Sequence, residues 1–236
     1  MTEKRNIREA MEPFEDSLES LRQDYAQMRG VYSAAIREIN ARLETLNNEF
    51  SYRNRHNPIH HIESRVKSMP SIIKKLRTIG APISMSSAKK HLHDIAGVRV
   101  VCRYVDDIYR IADLLQRQRD VEFVHRRDYI ESPKESGYRS LHLVIRIPVF
   151  LSSHTELVPV EVQIRTIAMD FWATLEHQLR YKSNHETTQQ LRRRLQHCAE
   201  ASAALDREMQ DIYREINGCS VNETCEAKPV QTDGAS

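Results

Sequence analysis

The segment LVPVEVQIR, residues 157–165, decides the fold class of this chain. Apolar and polar residues alternate along it, which is the two-residue period of a β-strand with one buried face. The apolar positions are Val158, Val160, Val162 and Ile164. Glu161, Gln163 and Arg165 would share the opposite face, so we expect this strand to present a carboxylate, an amide and a guanidinium together.

The segments around this strand extend the pattern. We predict further strands at residues 97–104, 121–130 and 139–147, and helices at 71–79, from Asp106 or Asp107 to about Gln118, and from Ile167 to about Tyr181. Pro70 and Gly80 bracket the first of these helices, as is typical of helix boundaries. Strands and helices mixed in this way over about residues 60–185 indicate an α/β or α+β core.

Side-chain alternation places polar groups on the other strands as well. In the strand at 97–104, Arg99 falls opposite the apolar set. In the strand at 139–147, Ser140 and His142 share a face, whereas Arg139 falls with the apolar residues by parity. An ordinary solvent-facing surface has the same pattern, so parity alone does not identify a site.

Long helices are predicted at both ends of the chain. Apolar residues recur every three or four positions over 17–50 and again over 187–216, which indicates narrow apolar stripes that pack on each other, on the core or on another subunit. We therefore divide the chain into an N-terminal helical extension (1–54), the core (55–185), a C-terminal helix (186–217) and a tail (218–236). The tail has no periodicity, and we expect it to be disordered.

Composition excludes several classes of protein. The 236 residues include 40% hydrophobic and 29% charged residues, six glycines and eight prolines, which excludes collagen-like and low-complexity chains. No apolar run approaches the roughly 20 residues that span a bilayer, and the charged N-terminus does not resemble a signal peptide, so we expect a cytoplasmic protein with no membrane partner. The four cysteines have no zinc-ligand spacing and are expected to be free thiols.

Positive charge is concentrated in residues 51–80. The segment has seven lysines and arginines against one acid, a local charge of +6 in a chain whose net charge is +2. The basic residues are Arg53, Arg55, Arg65, Lys67, Lys74, Lys75 and Arg77. Such an excess favours an anionic ligand or partner, and RNA phosphates would fit it as well as a nucleotide would.

Two features indicate nucleotide chemistry. The loop ESPKESGY, residues 131–138, offers a mobile cation in Lys134, a flexible turn at Gly137 and an aromatic face for stacking on a base in Tyr138. Asp94 before one strand and Glu161 on another form a candidate acidic site for Mg²⁺, which proteins hold with one or two carboxylates plus substrate phosphates. The chain has no glycine-rich phosphate motif, so side-chain cations would have to bind the phosphates.

Taken in order, the motifs resemble one family. They are RVK (65–67), SIIKK (71–75), DIAGVR (94–99), RDYI (127–130), PK (133–134), SGYRSLH (136–142), EVQIRT (161–166) and MDFWATLEH (169–177). The combination resembles the synthetase domain of the RelA/SpoT family, and specifically its small, single-domain alarmone synthetases. The resemblance implies a nucleotidyltransferase-like mixed β-sheet surrounded by helices, with long N- and C-terminal helices.

The resemblance also implies an activity. It is that of a GTP pyrophosphokinase, which transfers the β,γ-pyrophosphate of ATP to the 3′-hydroxyl of GTP or GDP and yields pppGpp or ppGpp and AMP in the stringent response. We therefore expect the chain to synthesise the alarmone and to have no hydrolase activity. It would use Mg²⁺ held by Asp94 and Glu161, and Glu161 would act as general base on the acceptor hydroxyl or orient it.

The binding residues implied by the resemblance fall into two groups. For ATP, they are Arg65 and Arg99 on either side of the adenine, and Lys67, Ser71 and Lys75 at the phosphates.

For GTP or GDP, they are Tyr138 stacked on the guanine, Arg127, Lys134 and His142 at the phosphates, and Gln163. Members of this size commonly form homotetramers through terminal helices, so we expect a homo-oligomer, with a tetramer favoured.

One departure and two alternatives accompany this interpretation. Residues 60–64, HHIES, lack the Phe-x-Thr pattern of members that bind an allosteric nucleotide there, which argues against product activation. Relatives with this fold use other acceptors, such as an adenine nucleotide or the 3′ end of tRNA. A non-catalytic RNA- or ribosome-associated module is the second alternative, although such a module would not need Asp94 and Glu161.

Overall fold

A computed structural model describes residues 2–54, 56–182 and 189–218. In chain order the elements are α1 (Thr2–Asn54), β1 (Ile59–Val66), α2 (Met69–Thr78), α3 (Met85–His91), β2 (Ala96–Cys102), α4 (Val105–Gln116), β3 (Glu122–Asp128), β4 (Leu141–Phe150), β5 (Thr155–Thr166), α5 (Ile167–Lys182) and α6 (Gln189–Asn217). The prediction of a disordered tail falls almost entirely on residues 219–236, which lie outside the described residues together with Cys219 and Cys225.

The five strands form one mixed sheet in the order β1-β2-β5-β4-β3. Strands β2 and β5 are parallel, and the other three pairs are antiparallel. The central strand β5 carries the segment that was predicted to be a strand from its alternation, and its four apolar residues are all buried. Its neighbours β2 and β4 are buried on the same face, so the hydrophobic core lies against this face of the sheet.

Helix α1 covers the core face of the sheet. Its predicted apolar stripe is confirmed between Met28 and Leu43, because Tyr32, Ile39 and Leu43 are fully buried in the same cluster as the strands. Helix α4 packs on this core as well, through residues such as Ile108 and Ile111. Burying each large apolar side chain stabilises the folded state by about 1.5–3 kcal/mol, which favours packing of the helices on this face of the sheet. The opposite face of the sheet stays open.

Helix α6 does not use its predicted stripe to pack on the described part of its own chain, which leaves packing on another subunit as the remaining prediction. Its buried positions are Ala199, Ala203 and Gln210, which face α5 and α4. Most of the apolar stripe, including Leu205 and Ile216, faces away from the chain and is exposed.

Several local predictions need correction. Strand β1 and helix α3 were not predicted. The strand expected at 97–104 ends at Cys102, because Tyr104 is already the N-cap of α4. Neither Asp106 nor Asp107 is that N-cap; Asp107 lies in the first turn, and its carboxylate accepts a hydrogen bond from the backbone N–H of Tyr104 at 3.3 Å. Cys102 and Cys198 are free, as predicted.

No helix within the described ranges is long and apolar enough to cross a membrane.

Candidate active site

Two rows of side chains cross the open face of the sheet. Residues paired on neighbouring strands share a face, so the strand register fixes each row. The first row, from β1 to β3, is Glu63, Arg99, Gln163, His142 and Arg127. The second row is Arg65, Gly97, Glu161, Val144 and His125. The sheet thus brings together predicted site residues that are up to 98 positions apart in sequence, as Arg65 and Gln163 are.

Asp94 lies between two lysines at one edge of this face. The lysines come from the residue after β1 and from α2: Lys67 and Lys75 both form ion pairs with Oδ2 of Asp94, the latter at 2.6 Å. Burial raises the pKa of Asp94, but the hydrogen bonds from Lys67 and Lys75 outweigh it and hold the pKa below the ordinary value. Asp94 is therefore ionised at neutral pH.

The second oxygen of Asp94 is available to a cation. Oδ1 of Asp94 is buried and has no hydrogen-bond partner in the described part of the chain. A buried carboxylate oxygen is costly to leave unpaired, so this atom fits a metal ligand. No three His, Cys, Asp or Glu side chains group into a metal site within the described residues.

Glu161 lies at the centre of the sheet and is held by two neighbours. Its Oε1 is 3.3 Å from Nδ1 of His142, and its Oε2 accepts a hydrogen bond from Gln163 at 3.0 Å. Burial raises the pKa of Glu161, and the nearby charge of Asp94 acts in the same direction. The hydrogen bonds from His142 and Gln163 outweigh both effects and lower the pKa, so Glu161 is ionised and oriented.

The loop before β4 places an aromatic ring beside His142, the partner of Glu161. Gly137 has a φ of +88°, and its N–H donates to the carbonyl of Lys134 at 2.7 Å, which closes a tight turn. The hydroxyl of Tyr138 lies 2.8 Å from Nε2 of His142. The ammonium of Lys134 is 4.8 Å from the centroid of the Tyr138 ring, so a cation and an aromatic face are presented together.

Arg99 is fixed at the opposite end of the first row. One nitrogen of its guanidinium lies 3.1 Å from Glu63 and 3.5 Å from Asp170. Arg65, on the neighbouring strand, is exposed and lies on the same face, diagonal to Arg99. Two arginines on one face are suited to enclosing a flat base, because guanidinium groups are planar and weakly hydrated.

Comparison with known proteins agrees with this geometry. Residues 64–186, more than half of the chain, match the family model described as the region found in RelA / SpoT proteins. The chain belongs to the RelA/SpoT family. The resemblance read from the motifs is confirmed.

Curated RelA/SpoT relatives match over most of their length. The chain is 42% identical over 202 residues to GTP pyrophosphokinase YwaC of Bacillus subtilis, which covers 86% of this chain and 96% of the relative. It is 40% identical over 185 residues to GTP pyrophosphokinase YjbM of the same organism, covering 78% of this chain and 86% of the relative.

Solved structures of RelA/SpoT proteins have the same fold. Small alarmone synthetase 1 of Bacillus subtilis bound to its product pppGpp matches with a TM-score of 0.75 and 38% identity, over 84% of this chain and 98% of that one. The same enzyme bound to AMPCPP matches with a TM-score of 0.71 and 34% identity, over 84% and 100%. The predicted mixed sheet with surrounding helices and long terminal helices is confirmed.

The predicted residues of this RelA/SpoT chain form two clusters and a few outlying positions. Lys67, Lys75 and Asp94 form one cluster; Tyr138, His142, Glu161 and Gln163, with Lys134 beside them, form the other. Ser71 is exposed, and its hydroxyl lies 2.9 Å from that of Ser68.

Arg127 is exposed at the β3 end of the first row. Arg139 does not lie with the apolar face as parity suggested. It precedes β4 and is half-buried, in electrostatic contact with Asp206 of α6.

Three residues of the site were not recognised from the sequence. Arg165 was placed on the polar face of β5 by parity, but no role followed from that. Asp170 gave no signal beyond its place in a motif. His125 packs edge-on against His93, with 6.2 Å between ring centroids. The signal available from the sequence was its place on the same face of β3 as Arg127.

Proposed function

We propose that this chain is a GTP pyrophosphokinase, a small alarmone synthetase that transfers the β,γ-pyrophosphate of ATP to the 3′-hydroxyl of GTP or GDP. The products are AMP and pppGpp or ppGpp. The observation that carries the proposal is the arrangement of Asp94 between Lys67 and Lys75 on the sheet face that also holds Glu161. The names and bound nucleotides of the relatives support the same reaction.

The basic residues make it possible to bring two polyphosphates together. ATP and a guanosine nucleotide repel each other, so a site that joins them needs cations aimed at the phosphates. Lys67 and Lys75 would bind the phosphates of ATP, and Arg65 and Arg99 would enclose its adenine. Positioning and charge neutralisation of this kind supply most of the rate enhancement in phosphoryl transfer.

Glu161 would accept the proton of the acceptor hydroxyl. Its lowered pKa keeps it ionised at neutral pH, and its two hydrogen bonds fix its direction. A general base must be both ionised and oriented, and it contributes typically ~10²–10⁴-fold to the rate.

The residues fit Mg²⁺, with Asp94 and Glu161 as its protein ligands. The free Oδ1 of Asp94 is the observation that supports this fit. When bound, Mg²⁺ would neutralise polyphosphate charge and polarise the phosphorus that is attacked. Lys67 and Lys75 would keep Asp94 ionised and turned so that Oδ1 stays available.

The acceptor subsite would be formed by the loop around Tyr138. Tyr138 would stack on the guanine, and Lys134, Arg127 and His142 would bind the phosphates, with Gln163 beside them. A tyrosine stacks on any purine, so an adenine nucleotide or a tRNA 3′ end would fit this ring too. We commit to a guanosine acceptor, GTP or GDP, because both curated relatives described above are named GTP pyrophosphokinases.

The chain would assemble as a homotetramer in the cytosol. The apolar residues that α6 turns away from its own chain give it a surface that a second copy could bury. The residues are Leu205, Met209, Ile212 and Ile216. RNA binding by the basic segment 51–80 stays a prediction.

Product analysis tests the proposed reaction. Labelled ATP would be incubated with GTP, GDP, GMP, ATP alone or deacylated tRNA, and the nucleotides would be separated by anion exchange. AMP that appears in step with a guanosine tetra- or pentaphosphate supports the proposal, whereas label on tRNA alone contradicts it.

A further inference from the structure

Among the described residues, Arg165 makes more side-chain hydrogen bonds in the site than any residue predicted for it. It lies near the end of β5, and only 5% of its surface is exposed. Its Nε donates to the hydroxyl of Ser140 at 3.3 Å, and its Nη1 to Asp170 at 3.2 Å. Its Nη2 donates to the hydroxyl of Tyr138 at 2.6 Å and to the side-chain carbonyl of Gln163 at 3.1 Å.

One set of hydrogen bonds leads from Arg165 through the acceptor subsite to Glu161, the proposed general base. Arginine carries only donors, so the oxygen of Tyr138 must accept from Arg165. The phenol oxygen keeps a second lone pair, so this bond alone does not direct the phenolic proton, and Nε2 of His142 lies 2.8 Å away. The ionised Glu161 only accepts, so Nδ1 of His142, 3.3 Å away, carries a proton, and in the neutral ring Nε2 then accepts from the hydroxyl of Tyr138.

A second set of contacts leads from Arg165 to Arg99, one of the two arginines proposed to enclose the adenine. Oδ1 of Asp170 accepts from Arg165 at 3.2 Å and lies 3.5 Å from Arg99. One carboxylate oxygen thus links the two guanidiniums. Because Arg165 is held from three other sides, Asp170 has a fixed position from which to hold Arg99.

We propose that Arg165 is a positioning residue that serves both nucleotide subsites at once. It holds the hydroxyl of Tyr138 in place against His142, which is the partner of Glu161, and through Asp170 it fixes the orientation of Arg99. Arg165 itself touches neither nucleotide in this scheme. The assignment of the two subsites rests on the function proposed above, whereas the hydrogen-bond directions do not.

The direction of the hydrogen bonds is tested without substrate. Nitrogen NMR of labelled histidines, with His142→Asn to assign the signal, reports which ring nitrogen carries the proton. We expect Nδ1 to be protonated and Nε2 to accept a hydrogen bond in the wild type, and the Nε2 signal to move towards that of a free acceptor in Arg165→Met. Tyr138→Phe, which removes only the hydroxyl, should move the Nε2 signal in the same direction and decides the point if Arg165→Met does not fold. An unchanged His142 signal in these variants would overturn the proposal.

Kinetics test the link between the subsites. We expect Arg165→Met to raise the KM of both ATP and the acceptor by roughly tenfold or more, since hydrogen bonds to charged groups are lost on both sides. Arg165→Lys should recover part of this loss. Asp170→Asn should raise the KM of ATP alone, and adding it to Arg165→Met should raise that KM little further.

The control is Arg146→Met, the same substitution at a half-buried arginine of β4 that pairs with Glu122 away from the network. It should leave both KM values within about twofold of the wild type. Equal KM values in folded Arg165→Met and wild type would overturn the link between subsites. A wild type that makes no product with any acceptor would instead overturn the proposed function, and the NMR result would still decide the hydrogen-bond directions.

Discussion

Gly137 lies directly against Ala199 of α6. A Cβ added to Gly137 would lie 2.5 Å from the Cβ of Ala199, closer than side chains tolerate. Tyr138 follows Gly137 directly and packs against the cluster that includes Ala199. The C-terminal helix therefore packs against the loop that carries the ring proposed to stack on the acceptor.

We therefore predict that Gly137→Ala lowers the free energy of unfolding and weakens acceptor use. The new methyl group meets Ala199, and φ of +88° strains any residue other than glycine, which together should cost about 1–3 kcal/mol. Urea unfolding and the KM of the acceptor would measure the two effects.

The matched control for this prediction is Gly80→Ala. Gly80 also has a positive φ, +68°, but a Cβ there would meet nothing within 4 Å. Gly80→Ala should lower the free energy of unfolding through backbone strain alone and leave the KM of the acceptor unchanged. Adding Ala199→Gly should restore part of the stability of Gly137→Ala. Equal stability of Gly137→Ala and the wild type would mean that the loop does not pack as described.

Replacing Glu161 by glutamine should lower kcat by at least about 10²-fold, because an amide cannot accept the proton of the hydroxyl. Binding of a non-hydrolysable ATP analogue should be retained, since Lys67, Lys75 and Arg99 are untouched. Initial rates of AMP formation and calorimetry would measure the two quantities. Glu156→Gln is the control, because Glu156 lies on the same strand and is bonded to Lys89 away from the site. A wild-type rate in Glu161→Gln would remove Glu161 from its role as base.

The contact between the end of β5 and α6 should depend on pH through Asp206. Burial raises the pKa of Asp206, although a hydrogen bond from Thr166 and the charges of Arg139 and Arg207 act against this. A carboxyl whose pKa is raised on folding binds more protons in the folded state. Its contribution to stability is therefore most favourable below the unfolded pKa of about 3.9 and is lost as the pH rises through the folded pKa.

We accordingly predict that the wild type gains stability relative to Asp206→Asn as the pH is lowered from 7 towards 4. Asparagine can still accept the hydrogen bond from Thr166 but does not titrate. Urea unfolding of both proteins across this range measures the difference, with Glu208→Gln, an exposed site on α6, as the control for loss of a charge. A difference that is constant with pH, or that falls on acidification, would contradict the prediction.

A charge on the outer stripe of α6 should reduce the oligomer. Leu205 is 57% exposed on the face that the chain leaves uncovered, so Leu205→Glu should lower the mass in solution by light scattering without unfolding the chain. Ala204→Glu, an exposed neighbour on the polar side of the helix, is the control. An unchanged mass for Leu205→Glu, or a monomeric wild type, would exclude this surface from assembly.

The alternation within β5 predicted both its buried face and the polar face that carries Glu161 and Gln163. Strand β1 escaped prediction because it is an edge strand whose residues, IHHIESRV, do not alternate between apolar and polar. Helix α3 has only seven residues, too few for a clear helical period.

The role of Arg165 could not be read from sequence for a different reason. Its partners Tyr138 and Asp170 come from a loop and a helix, and only the packed sheet end brings them to one guanidinium. For α6, the apolar stripe was visible but its use was not. The side that docks on the chain relies on small residues, Ala199 and Ala203, which do not belong to the stripe of large apolar residues.

The most direct test is the product analysis with labelled ATP, Mg²⁺ and each acceptor, with Asp94→Ala as the blank. We predict AMP in equal amount with pppGpp from GTP or ppGpp from GDP, and neither with the blank. No AMP with any acceptor, or equal product from the wild type and Asp94→Ala, would contradict the proposed function.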